Sequence, residues 1–268
     1  MGTEILEVVL RSKENGVLIL QQLMKLINPS KPPHPCEYFD MICDTSTGGL
    51  IAIMLGRLKM SVEECIDEYR KLSPKIFVKK HHRVDGHGRT RGRYDSAAFE
   101  QGIKEMLEKL GLHQDTLLEE DVSDVPQRDC NVFVCATSEV HTGTVIFSNY
   151  YSTRRGKRLR NIAKIWEVAR ATSAAPTFFE PVSIAGKKFG DGGTGANNLV
   201  DQLWTEASDV SGGDEQPGWK LEDRLQCPVS IGTGKLLLER FGTSVMEGEV
   251  LDALLPIATD TENKANQF

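Results

Sequence analysis

The sequence has no long hydrophobic run, no surplus of positive charge and no grouped cysteines, and each shortage excludes something. Its best apolar stretch, Leu50 to Leu55, is far short of the ~20 residues that a membrane-spanning helix needs. A net charge of −6 argues against nucleic acid as a partner. Six cysteines are scattered, with no C-x-x-C pair, so neither a zinc site nor a disulfide framework is expected and most of them read as small buried apolar groups. The start of the chain lacks the basic residues and apolar core of a secretory signal, which makes the cytoplasm the expected location. What remains is ordinary for a folded domain: 40% hydrophobic, 26% charged and 7% aromatic residues.

A length of 268 residues allows one large domain or two small ones, with a buried core that needs neither disulfides nor metal. Apolar spacing predicts helices over 16–27, 48–58, 61–72, 96–110, 162–170 and 196–207. Strands are expected at 38–43, 131–137, 145–149 and 228–231, and a hairpin turning at Gly186-Lys187-Lys188 is expected within 182–189. Strands and helices alternate, so the fold class is α/β with a largely parallel central sheet.

The expected strand at 38–43 runs through Asp44-Thr45-Ser46-Thr47-Gly48-Gly49 into a helix. That setting is close to the G-x-S-x-G elbow, where a sharp turn exposes a serine hydroxyl and the following helix offers N–H groups to a developing oxyanion. The plainer reading makes Ser46 a helix cap and Gly48 and Gly49 packing residues. A serine hydroxyl needs a base. Of six histidines, only His141 falls near a strand end after the elbow. Asp191 is better placed, on a turn between Gly190 and Gly192-Gly193, although most such aspartates only shape a turn.

Four separated segments, Tyr38 to Leu55, Ala169 to Phe179, Phe189 to Asn198 and Val229 to Lys235, together resemble the patatin-like phospholipases, and fungal members most closely. The resemblance covers nearly the whole chain. It implies a single domain over 1–268, open to continuation past Phe268, with a three-layer α/β/α fold and lipid acyl hydrolysis without metal or other cofactor. Carried over by position, Ser46 is the nucleophile and Asp191 the general base. Thr47, with Gly48 and Gly49, belongs to the oxyanion and elbow region, and Gly192 and Gly193 support the base.

Two departures oppose full activity. The family's glycine-rich D-G-G-G-x-R-G loop, whose N–H groups form the main oxyanion hole, is missing between the first strand and first helix, where Arg11 to Gly16 stands instead. Asp44 takes the place of the first elbow glycine, adding a Cβ and a negative charge beside the site. A non-catalytic, lipid-binding or signalling module of a longer protein is therefore the alternative to an active hydrolase. The run from Lys79 to Arg93 holds six Lys and Arg, three His and one Asp. It reads either as a solvated loop or as a cationic arm for phospholipid head groups, carried by Lys79, Lys80, Arg83, Arg89, Arg91 and Arg93. Its histidines, His81, His82 and His87, lack the partners of a metal site. A second basic stretch, Arg154 to Arg160, reads as a solvated approach to the next helix.

Overall fold

The structure is a computed structural model, and it describes residues 5–10, 14–79, 92–119, 130–140, 143–152, 154–155, 159, 161–194, 199–211 and 220–231. Seven strands form one sheet: β1 (Ile5–Leu10), β2 (Met41–Thr45), β3 (Asn131–Ser138), β4 (Thr144–Ser148), β5 (Val182–Ile184), β6 (Lys187–Asp191) and β7 (Leu225–Ile231). The helices that matter to the site are α1 (Glu14–Ile27), α2 (Pro35–Tyr38), α3 (Ser46–Ala52), α4 (Val62–Ile76), α5 (Ser96–Lys109), α6 (Ile165–Thr172) and α7 (Val200–Val210).

Strands β7, β1, β2 and β3 are neighbours in parallel, while β4, β5 and β6 add antiparallel pairings. The parallel core is as the sequence suggests, and the antiparallel margin is what assembles the site. Cys135 of β3 lies between Thr45 of β2 and Ile146 of β4; the next residue, Ala136, lies between Asp191 of β6 and Val145 of β4. Because β4 occupies one edge of β3 from Phe133 to Thr137, a span that includes the ends of both the β2 and the β6 pairings, β2 and β6 share the other edge, meeting end to end. Their C-terminal ends, at Thr45 and Asp191, face each other across one residue step of β3.

Alternation along the strands feeds two cores, as a sheet covered on both faces requires. Ile42, Val132, Val134 and Ala136 join the large core with helices α1 and α3 to α6, whereas Met41, Cys43, Phe133 and Cys135 pack with Leu203 of α7 on the opposite face. The layers are α/β/α.

Several boundaries differ from the sequence reading for identifiable reasons. Pro35 opens a short helical turn in which the Glu37 carboxylate accepts the His34 N–H at 3.1 Å, so β2 begins only at Met41 and Asp44 and Thr45 belong to the strand. Helix α4 passes through Pro74 because Leu72 and Ile76 are both buried. The expected helix over 48–58 ends as a π-helical turn over Ile53–Arg57. There Gly56 lies against Val132, whose Cγ2 would be 2.3 Å from an added Cβ. The β5–β6 turn falls at Ala185-Gly186, both at positive φ (53° and 75°), which is the two-residue hairpin geometry, and Lys187 and Lys188 are already in β6. The helix placed over 196–207 begins at Val200 and continues to Val210.

Candidate active site

Ser46 is the first residue of α3 and has φ 57°, a left-handed conformation that is costly for a residue with a Cβ and that typifies a strained elbow. Its hydroxyl donates to Asp191 Oδ2 at 2.7 Å. The other carboxylate oxygen, Oδ1, accepts the Gly193 N–H at 2.7 Å. The Asp191 backbone is fixed as well: its N–H donates to the Ala174 carbonyl at 3.0 Å, and its carbonyl accepts the Thr137 hydroxyl at 2.8 Å. Two residues 145 positions apart in the chain are therefore in direct contact because their strands meet on the edge of β3.

Burial dominates the ionisation of Asp191. With 6% of its surface exposed, the carboxyl is pushed up to about 6, and the hydrogen bonds from Ser46 and Gly193 pull in the opposite direction. Above about that pH it is a carboxylate whose proton affinity is well matched to receiving the Ser46 proton.

Glycine is required on both sides of this contact. A Cβ on Gly192 would lie 2.3 Å from the Cys135 carbonyl oxygen and 2.4 Å from Thr45 Oγ1; one on Gly49 would lie 2.7 Å from Thr172 Oγ1. Gly48 is buried beside it, and half-buried Thr47 follows Ser46 in the first turn. Gly193 contributes through its N–H rather than through its lack of a side chain.

Asp44 is 1% exposed. It keeps the β2 ladder in register opposite Val134, and its Oδ1 accepts the N–H of Thr45 at 2.6 Å. The carboxylate is thus turned onto the strand's own backbone, two residues before Ser46.

Among the basic residues, Lys79 and Arg93 are described; Lys80, Arg83, Arg89 and Arg91 lie outside the described residues, as do His81, His82, His87 and His141. Lys79 pairs with Tyr94 as an isolated antiparallel bridge. The Arg93 guanidinium sits 5.2 Å from the centre of the Phe178 ring. Backbone N–H groups of Arg93 and Tyr94 donate to the carbonyls of Thr177 and Phe178 at 2.8 and 2.9 Å. The root of the basic run is therefore docked on the segment that follows α6.

Of the second basic stretch, Lys157, Arg158 and Arg160 lie outside the described residues, and Arg155 departs from the solvated reading. Arg155 turns inward to the buried Glu206 of α7, and also donates to Ser148 Oγ at 3.0 Å. The Tyr150 hydroxyl donates to the same Glu206 at 2.6 Å. A cavity of about 430 Å³ opens here, over β4, lined by Phe147, Tyr150, Arg155 and Glu206 among others. Neither Ser46 nor Asp191 lines it.

Sequence reasoning missed Thr172 and Ser173. Thr172 Oγ1 accepts the Ser46 N–H at 3.0 Å, and Ser173 Oγ donates to the Ser46 carbonyl at 3.0 Å. The only signal was that both lie in the segment Ala169 to Phe179, which carries part of the family resemblance without any role attached to them.

A strand–turn–helix serine is held against a buried carboxylate in a three-layer α/β/α fold. A model of the patatin-like phospholipase family matches residues 17–204, and the chain belongs to that family. Calcium-independent phospholipase A2-gamma of Rattus norvegicus is 30% identical over 260 residues, covering 92% of this chain and 31% of that protein. Phospholipase A I of Arabidopsis thaliana is 28% identical over 277 residues, with 82% and 20% covered. Patatin-like protein 2 of Arabidopsis thaliana is 31% identical over 199 residues, with 66% and 45% covered. The chain spans less than a third of the length of the first two. These mammalian and plant relatives lend no support to a special likeness to fungal members. Among solved structures, VipD from Legionella pneumophila aligns with a TM-score of 0.38 at 14% identity, covering 70% of this chain and 46% of that one; the family assignment rests on the sequence matches.

Proposed function

We propose that the chain is a lipid acyl hydrolase acting on phospholipids or related acyl esters at a lipid surface, with Ser46 as nucleophile and Asp191 as general base. The observation that carries this is the 2.7 Å hydrogen bond from Ser46 Oγ to Asp191 Oδ2 at a positive-φ elbow. In the first half-reaction Asp191 takes the Ser46 proton as Oγ attacks the ester carbonyl, then returns that proton to the departing alkoxide. Water repeats the sequence on the acyl-enzyme, giving its proton to Asp191 and releasing the fatty acid. No cofactor enters either step. The N–H of Thr47 is the proposed oxyanion donor. Only three residues separate β1 from α1, too few for the family's glycine loop, and each oxyanion donor lost costs about 10²–10³ in turnover. We therefore propose a slow enzyme. The cationic run from Lys79 to Arg93 is the proposed lipid contact, supported by its docked root and by Phe77 and Val78, 40% and 58% exposed beside it.

The short β1–α1 connection, with Asp44 at the elbow, favours a second reading: a non-catalytic lipid-binding module. One experiment separates the two. The enzyme reading expects a fluorophosphonate probe to label the protein, and a short-chain p-nitrophenyl ester to turn over slowly, with both lost in Ser46→Ala. Absence of labelling, together with salt-sensitive binding to anionic vesicles, establishes the second reading instead.

A further inference from the structure

Three consecutive residues at the end of α6 touch the backbone of both members of the site. Thr172 Oγ1 accepts the Ser46 N–H, Ser173 Oγ donates to the Ser46 carbonyl, and the Ala174 carbonyl accepts the Asp191 N–H, each at 3.0 Å. We infer that Thr172-Ser173-Ala174 is a positioning tripeptide that sets the separation of nucleophile and base; the inference rests on the roles of Ser46 and Asp191 proposed above.

The physical need arises at the junction of β2 and β6. A residue at φ 57° takes its N–H out of the strand ladder, and that N–H precedes the first helical hydrogen bond of α3. An external acceptor is required to keep it satisfied where water is scarce. Thr172, fully buried, supplies it, and its own hydroxyl donates a hydrogen bond to the Cys135 carbonyl at 2.7 Å. The same carbonyl accepts the Thr45 hydroxyl at 3.3 Å. The hydroxyl of Thr172 is thereby oriented as an acceptor toward Ser46, because its single proton is engaged on β3. The bare Cα of Gly49 leaves the room that the Thr172 side chain fills, since a Cβ there would meet Oγ1 at 2.7 Å and Cγ2 at 2.8 Å. Ser173 holds the peptide unit that follows Ser46 as Thr172 holds the one before it, so the residue can relax from its left-handed conformation only by breaking or shifting these contacts. Since Ala174 holds Asp191 from the same short stretch, the distance between the two reacting groups is referred to one rigid tripeptide instead of to the long chain between them.

The test uses the intact chain. Thr172→Val keeps shape and removes the hydroxyl; Thr172→Ser keeps the hydroxyl; Ser173→Ala removes the second contact; and Ile103→Val, in the buried face of α5, serves as a destabilised control that removes no hydrogen bond. We expect Thr172→Val to lower kcat on a short-chain p-nitrophenyl ester about 10- to 100-fold with KM within twofold. Fluorophosphonate labelling of Ser46 should slow by the same factor. Thr172→Ser should restore at least half of both, Ser173→Ala should show a smaller loss of the same type, and Ile103→Val should keep full kcat. A folded Thr172→Val with unchanged labelling and kcat overturns the inference, as does a loss that Ile103→Val reproduces. If the unsubstituted protein neither labels nor turns over, the hydrolase reading fails, and crystal structures of it and of Thr172→Val decide the positioning role alone. In that case, a variant that keeps Ser46 at positive φ and in contact with Asp191 overturns it, and a separated pair supports it.

Discussion

Asp191 connects chemistry with stability at the scale of a single residue. Its carboxyl must be ionised to act as base, so turnover should rise with pH through about 6 and level off above; a pH–rate profile of kcat/KM checks this, and a profile flat from pH 5 to 8 would refute it. The same raised pKa has an opposite consequence for folding. An acid whose folded pKa lies above its unfolded value destabilises the fold once it ionises, so the penalty is absent below about pH 4 and complete above about 6. Asp191→Asn should therefore abolish turnover and yet raise stability at pH 7 by up to about 3 kcal/mol, the equivalent of the shift from 3.8 to about 6. The amide can keep the contacts to Ser46 and Gly193, and the gain should shrink in denaturation experiments run at pH 4. Gly192→Ala should do the reverse, costing about 2 kcal/mol or more, because its Cβ meets backbone at the Cys135 carbonyl, which cannot give way as a flexible side chain would.

The elements explain which parts of the sequence pattern could be read. Strand β3 was legible because NVFVCAT alternates between two apolar faces, and the elbow because a strand-like run is followed by small residues and then a helix. Its mirror, β6 ending on Asp191, was legible from the glycines around it. The π-helical turn was not, since its cause is Val132 packed against Gly56 from another element. The hairpin turn begins one residue earlier than composition suggests, because an alanine sits where φ must be positive, a position that composition assigns to glycine or asparagine. Ala185→Asn should consequently stabilise the β5–β6 hairpin by about 1 kcal/mol, since asparagine tolerates the left-handed region better; a thermal scan should show a rise in Tm, and a fall would mean that the turn differs from the one described.

Across the whole molecule, the cluster of Tyr150, Arg155 and Glu206 ties the outer strand β4 to α7 on the far face of the sheet. Burial and the neighbouring Glu206 charge together push the Tyr150 hydroxyl well above its ordinary pKa, burial being the larger cause, so it remains a donor to Glu206 throughout the neutral range. Arg155→Ala would strand the Glu206 carboxylate, whose side chain is 3% exposed. The expected loss is about 3–5 kcal/mol, seen as a lower urea midpoint and little altered by salt, because a buried pair is poorly screened. A loss under 1 kcal/mol would place the pair at the surface, energetically speaking.

The sequence by itself determined the α/β alternation, the turn that presents Ser46 and the glycines that leave room beside Asp191, since each of these is dictated by local periodicity and backbone freedom. Only the tertiary structure decided that β2 and β6 share one edge of β3, that Thr172 and Ser173 hold the elbow, and that Arg155 turns inward. Those outcomes depend on groups far apart in the chain meeting where water is excluded, and a buried donor, acceptor or charge must then find whichever partner the packing brings to it.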